Sequence, residues 1–206
     1  MYTASVYENR ISQAAKVLQG GGLVACPTDT VFALAADSRN DSAVSRVYDA
    51  KGRPANSPLP LLVSGILQVE TIVTDMFPQA RALMERFWPG PLTIVLPGQS
   101  WLPGPLLQDG GVGVRQPDDP ICCRLIDKLG APITGTSANR TGNPPAMTAD
   151  EARKQLGDAV DFYLDAGEAG GARPSTVVRV TTAGLEVLRE GPISAQMLTD
   201  TLEAPA

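Results

Sequence analysis

The chain has 206 residues, 43% of them hydrophobic and 19% charged, with a formal net charge of −5. That length and apolar fraction suit one globular domain with an ample core, and the acidic balance (pI about 4.8) argues against a broad non-specific nucleic-acid surface. Histidine is absent, which excludes Ser-His-Asp and Cys-His nucleophiles, imidazole bases and histidine metal sites.

The N-terminal Met1 to Arg10 is polar and lacks the apolar core of a signal peptide, and no apolar run approaches a membrane span. A soluble, cytoplasmic protein is expected. Ile11, Ala14/Ala15 and Leu18 have helical spacing, so Glu8 to Leu18 reads as an amphipathic helix ended by Gly20-Gly21-Gly22. Leu23 to Cys26 and Thr30 to Ala36 read as strands. Asp41 to Ala50 reads as a helix capped by Asn40 or Asp41, running directly into Lys51-Gly52-Arg53-Pro54. Leu59 to Val63 is a strand, Gln79 to Trp88 a helix, and Leu92 to Leu96 and Val112 to Arg115 are strands. Asp119 to Leu129 is a helix, and Thr148-Ala149-Asp150-Glu151 is a capping box opening another to about Leu156. Val160 to Leu164, Ser175 to Val180 and Leu185 to Leu188 are strands, and Ser194 caps a last helix before the tail that follows Glu203. Some strand-to-strand connections are too short for helical crossovers, so the expectation is one α/β domain with a mixed sheet. Cys26, Cys122 and Cys123 are odd in number and have no C-x-x-C spacing, and they read as buried thiols in a reducing compartment.

The standard nucleotide fingerprints are missing. No G-x-x-x-x-G-K-[ST] occurs, and Gly111-Val112-Gly113 lacks the third glycine of a dinucleotide loop. Two other stretches carry suitable chemistry. Lys51 and Arg53 stand at i and i+2, so extended backbone would put both cations on one face. Thr136-Ser137-Ala138-Asn139 crowds two hydroxyls and an amide into a short stretch. Paired cations beside small hydrogen-bonding groups suit a phosphate or a carboxylate. Lys51 and Arg53 read equally as a helix C-cap complementing the dipole, and Ser137 and Asn139 as turn-formers. Asp29 reads as a cap or a ligand contact, and Arg115 as a surface residue or an anion clamp. The 13 Arg outnumber the 4 Lys, and Arg53, Arg115, Arg140, Arg173 and Arg189 flank turn-rich loops. They form either a local basic pocket or a scatter.

Pro27-Thr28-Asp29-Thr30-Val31-Phe32, Lys51-Gly52-Arg53-Pro54, Phe87-Trp88-Pro89-Gly90-Pro91-Leu92-Thr93, Val114-Arg115-Gln116-Pro117, Thr136-Ser137-Ala138-Asn139, Pro174-Ser175-Thr176-Val177-Val178 and Leu188-Arg189-Glu190-Gly191 together resemble the YrdC-type threonylcarbamoyl-AMP synthase family. The likeness runs from about residue 8 to 200 in the family's order. It implies an α/β fold with a YrdC-like twisted mixed β-sheet, flanking helices and a concave basic cleft, as one domain over residues 1–206. It also implies a nucleotidyltransferase that converts L-threonine, bicarbonate and ATP to threonylcarbamoyl-AMP and pyrophosphate. The product would pass to a separate transferase complex that modifies tRNA. Some relatives carry an additional C-terminal domain, for which this chain ends too early, so the stand-alone form is expected.

By the same resemblance, Lys51, Arg53, Ser137 and Asn139 are the catalytic positions around the ATP phosphates. Arg189 is a further ATP contact, and Ser57 and Pro145 line the nucleotide. Thr30, Arg115, Gly135 and Ser175 fall at threonine-binding positions, with Arg115 placed to grip the carboxylate in bidentate fashion. Lys51, Arg53 and Mg²⁺ would stabilise charge on the phosphates, with no metal ligands and no general base identifiable. Two departures stand out: Leu62 takes the place of a threonine-contacting histidine, and Phe32 that of a tyrosine. A non-catalytic, weakly RNA-binding module of the same fold is one alternative. A carbamoyl-adenylate domain like that of hydrogenase-maturation carbamoyltransferases is another.

Overall fold

The computed structural model describes residues 4–54, 56–171 and 173–203, so the tail read from the sequence at 204–206 lies outside the described residues. In chain order the elements are α1 (Ala4–Gln19), β1 (Val24–Cys26), β2 (Ala33–Ala35), α2 (Asp41–Lys51), β3 (Leu61–Leu62), α3 (Ile66–Ile72), α4 (Pro78–Phe87), β4 (Leu92–Pro97) and β5 (Gly111–Arg115). There follow α5 (Pro120–Leu129), β6 (Ile133–Thr134), β7 (Thr136–Ser137), α6 (Ala149–Leu156), β8 (Phe162–Tyr163), β9 (Thr176–Thr181), β10 (Gly184–Arg189) and α7 (Ala195–Glu203).

Helix ends follow local chemistry. Asn40 Oδ1 accepts from Ala43 N at 3.0 Å to open α2, and Gly52, at φ 59°, closes it in a left-handed turn. Asp119 Oδ1 accepts from Cys122 N at 2.7 Å to cap α5, and Thr148 Oγ1 accepts from Glu151 N at 3.2 Å to cap α6. Ser194 Oγ accepts from Met197 N at 3.3 Å at the start of α7. The strand read at residues 30–36 is shorter, spanning only β2, because Thr28 Oγ1 accepts from the amides of Thr30 and Val31 and folds that segment into a turn.

The strands divide into two mixed sheets, ordered β7-β2-β1-β8 and β10-β9-β4-β5-β3-β6. In the first, β1 runs parallel to β8 and antiparallel to β2. In the second, β4 runs parallel to β9 and antiparallel to β5, while β3 runs parallel to β5 and antiparallel to β6. The chain passes from one sheet to the other at residues 133–137. Thr134 makes that junction: its amide donates to Ala36 O, and its hydroxyl lies 3.0 Å from Leu34 O and 2.9 Å from Ala36 N.

Both faces of the first sheet are buried. Val24 and Cys26 of β1 and Ala33 and Ala35 of β2 join Ile11, Leu18, Leu125 and Ile126 beneath α1 and α5. Ala25 and Leu34, from the same strands, face the larger core with Phe32, Leu61, Leu83, Leu92, Val114 and Val178. No described helix is long and apolar enough to cross a membrane. Cys26 and Cys122 are buried and Cys123 half-buried, all as free thiols.

Candidate active site

Strand ends from both sheets converge on a cleft of about 150 Å³. Thr28, Thr30 and Val31 reach it from the β1–β2 turn and Ala33 from β2, Pro60 and Leu62 from β3 and its approach, and Thr93 from β4. Arg115 comes from the end of β5, Gly135 to Ser137 from the sheet junction, Pro174 and Ser175 from just before β9, and Arg189 from the end of β10. Arg53 enters from beyond α2. Three guanidinium groups and no carboxylate line the space. A second space of about 190 Å³ shares Arg53, Pro60, Thr93 and Arg189 with it and adds an apolar lining from Leu59, Val95, Val177 and Leu188. The two arginines therefore stand on the border between two compartments.

Arg53 and Arg189 are each anchored by one edge, whereas Arg115 is held through all three nitrogens. Arg53 donates from Nε to Ser57 O and from Nη2 to Pro58 O, both at 3.1 Å. The Tyr48 hydroxyl braces the same loop, 3.0 Å from Ser57 O and 2.7 Å from Pro105 O. Arg189 donates to Ser175 O from Nε at 3.1 Å and from Nη2 at 2.8 Å, and to Ser175 Oγ at 3.2 Å. That hydroxyl lies 2.8 Å from Thr93 Oγ1. Arg115 donates from Nε to Gly90 O at 3.0 Å, from Nη1 to Thr30 Oγ1 at 2.9 Å and from Nη2 to the Asp29 carboxylate. Burial lowers all three below the ordinary arginine value; Arg115 and then Arg53 push Arg189 further, whereas Asp29 opposes the fall at Arg115. Cations crowded so closely, with donors to spare, make a site that gains from receiving anions.

Lys51 and Asn139 do not line either space. Lys51 is buried, and its ammonium donates to Ser137 O, to Asn139 O at 2.7 Å and weakly to Asn139 Oδ1 at 3.4 Å. Thr141 N returns a bond to Lys51 O at 2.9 Å, and the Asn139 amide nitrogen donates to Arg140 O and Asn143 O. The two polar stretches singled out in the sequence are thus bonded directly to each other, behind the cleft wall that Ser137 forms. Burial, followed by Arg53, pulls the Lys51 ammonium down to about 8.

Of the residues read from the sequence, Thr30, Arg53, Leu62, Arg115, Gly135, Ser137, Ser175 and Arg189 meet in the cleft. Ser57 enters only through its carbonyl, which holds Arg53 and Tyr48, and Pro145 lines neither space. Thr93, Pro60 and Thr136 also line the cleft, although the sequence reading gives them no site role. Thr93 had a legible signal: a polar residue inside the apolar run Leu92 to Leu96. Among the described residues, no group of three or more acids or thiols could hold a metal ion, so these side chains do not fit a magnesium cage of their own.

The model of the Sua5/YciO/YrdC family, described as telomere recombination, matches residues 16–191. A Mycobacterium tuberculosis protein provisionally named threonylcarbamoyl-AMP synthase is 39% identical over 199 residues, which cover 95% of this chain and 90% of that protein. The threonylcarbamoyl-AMP synthase of Bacillus subtilis is 35% identical over 196 residues, 94% of this chain and 57% of the relative. Among solved structures, Pyrococcus abyssi Sua5 complexed with L-threonine matches with a TM-score of 0.89 at 34% identity, covering 94% of this chain and 57% of that one. The chain therefore spans little more than half the length of the last two proteins.

Proposed function

Because the chain belongs to the Sua5/YciO/YrdC family, we propose that it is a threonylcarbamoyl-AMP synthase, joining L-threonine, bicarbonate and ATP into threonylcarbamoyl-AMP with release of pyrophosphate. The observation that carries this reading is the pair of compartments divided by Arg53 and Arg189, one of them ending on Arg115. An amino acid would fit the first compartment, its carboxylate on Arg115 and its side chain against Val31, Ala33 and Leu62. The triphosphate would lie across the border arginines.

The threonine amine, in its neutral form, attacks the carbon of bicarbonate-derived carbon dioxide to give a carbamate. A carbamate oxygen then attacks the α-phosphorus, and the bond to the β-phosphate oxygen breaks as pyrophosphate leaves. Arg53 and Arg189 meet the charge that gathers on phosphate oxygens, already oriented by backbone carbonyls and needing little reorganisation. Ser137 offers its hydroxyl to the same oxygens. Lys51 and Asn139 act through the wall, fixing the backbone that presents Ser137. Holding the reactants together contributes the remaining acceleration through proximity. Magnesium would arrive with the triphosphate as part of the substrate.

We read residues 8–200 as one such unit, working in the cytoplasm, where three free thiols persist. A downstream tRNA-modifying transferase would consume the labile mixed anhydride. The net charge of −5 leaves at most weak RNA binding to this chain itself. The test is pyrophosphate release by purified protein with ATP, Mg²⁺, bicarbonate and threonine. Release that depends on both threonine and bicarbonate is expected, and its absence would sink the proposal.

A further inference from the structure

Arg115 differs from the other two arginines in how it is held. Its three nitrogens donate to three different groups: the Gly90 carbonyl, the Thr30 hydroxyl and the Asp29 carboxylate. Three fixed acceptors determine the plane of a guanidinium. Each terminal nitrogen carries two protons and gives one to these partners, so each keeps one for an incoming carboxylate. Asp29 is the acidic residue that supports the cation, and it does so from outside the cleft lining. The side chains of Arg115 and Asp29 are only 7% and 13% exposed.

The backbone presenting Asp29 is itself clamped. Thr28 Oγ1 folds the turn by accepting from the Thr30 and Val31 amides, and Gly170 N and Gly171 N donate to Thr28 O and Thr30 O at 3.0 and 3.1 Å. The approach is close enough that a Cβ on either glycine would stand 3.0 Å from Asp29 O. A carboxylate delivered from so constrained a turn sets the orientation of its partner, and its charge offsets one of three crowded guanidinium groups.

We propose that Asp29 is a positioning residue that aims the two unused N–H groups of Arg115 at the amino-acid carboxylate. The inference rests on the synthase reading and deepens its amino-acid subsite. Its test is threonine and ATP affinity, each measured by calorimetry, for the wild type, Asp29→Ala and Asp29→Asn. Asp29→Asn keeps an acceptor oxygen without the charge, whereas Asp29→Ala removes both. The expected result is a loss of threonine affinity of about tenfold or more in Asp29→Ala, with ATP affinity within about threefold of the wild type. Asp29→Asn should keep threonine affinity within about threefold. Thermal melting of each variant verifies the fold. If threonine and ATP affinities fall together in a folded Asp29→Ala, or threonine affinity is unchanged, the proposal is overturned. An Asp29→Asn variant as weak for threonine as Asp29→Ala also overturns it, since charge alone would then be the cause. Threonine-dependent pyrophosphate release by the wild type reports on the synthase reading separately, so the two can fail independently.

Discussion

Lys51 is 3% exposed and bonded to carbonyl oxygens, so its charge is both costly to bury and well used. The linkage has a definite sign. The folded-state value, about 8, lies below the ordinary 10.5, so the native protein sheds this proton first. Stability from this group therefore rises with pH between those values and is lost as pH falls through about 8. The rise should amount to something on the order of 3 kcal/mol across the window. Lys51→Met, which removes the titrating group, should flatten it. Urea midpoints at intervals from pH 7.5 to 10 would show this, and identical slopes for both proteins would refute it. From the sequence, Lys51 read equally as a helix cap or a phosphate grip. Its position in the last turn of α2 is compatible with the first. What its ammonium touches lies more than eighty residues away, a partner that no local pattern announces.

Elements that depend on local chemistry were the most legible. Asn40, Asp119, Thr148 and Ser194 each sit at a helix start marked by residue type and by the apolar spacing that follows. Asp119→Ala should cost about 1 kcal/mol by removing the acceptor for Cys122 N, and lower the melting temperature by about 2–4 °C. A melting temperature unchanged by the substitution would mean that α5 is held by packing against α1 alone. Three short elements, α3, β6 and β7, went unread for an equally physical reason. The helix α3 begins at Gly65 without a side-chain cap, and β6 and β7 have only two residues each, too few to display a period. Those two strands exist because Leu61, Leu62, Ala33 and Leu34 stand opposite them.

Across the whole molecule, Gly135 is where the two sheets exchange the chain and where the cleft has its floor. A Cβ there would stand 2.6 Å from Leu62 Cγ, and Leu62 is buried. Gly135→Ala should destabilise the protein by about 1–3 kcal/mol through overpacking and weaken threonine binding with it. Denaturant midpoint and calorimetry on one sample would read both, and loss of neither would show that Leu62 can move. The sequence by itself determined the α/β class, the long helices with their caps, the free thiols and, by resemblance, most residues of the cleft, because these follow from residue type, short-range spacing and motif order. Only the tertiary structure decided that there are two sheets, that Lys51 and Asn139 brace the cleft from behind, and that Asp29 holds Arg115. Those are contacts between segments far apart in the chain, and which polar group meets which is set by how strands pair and pack.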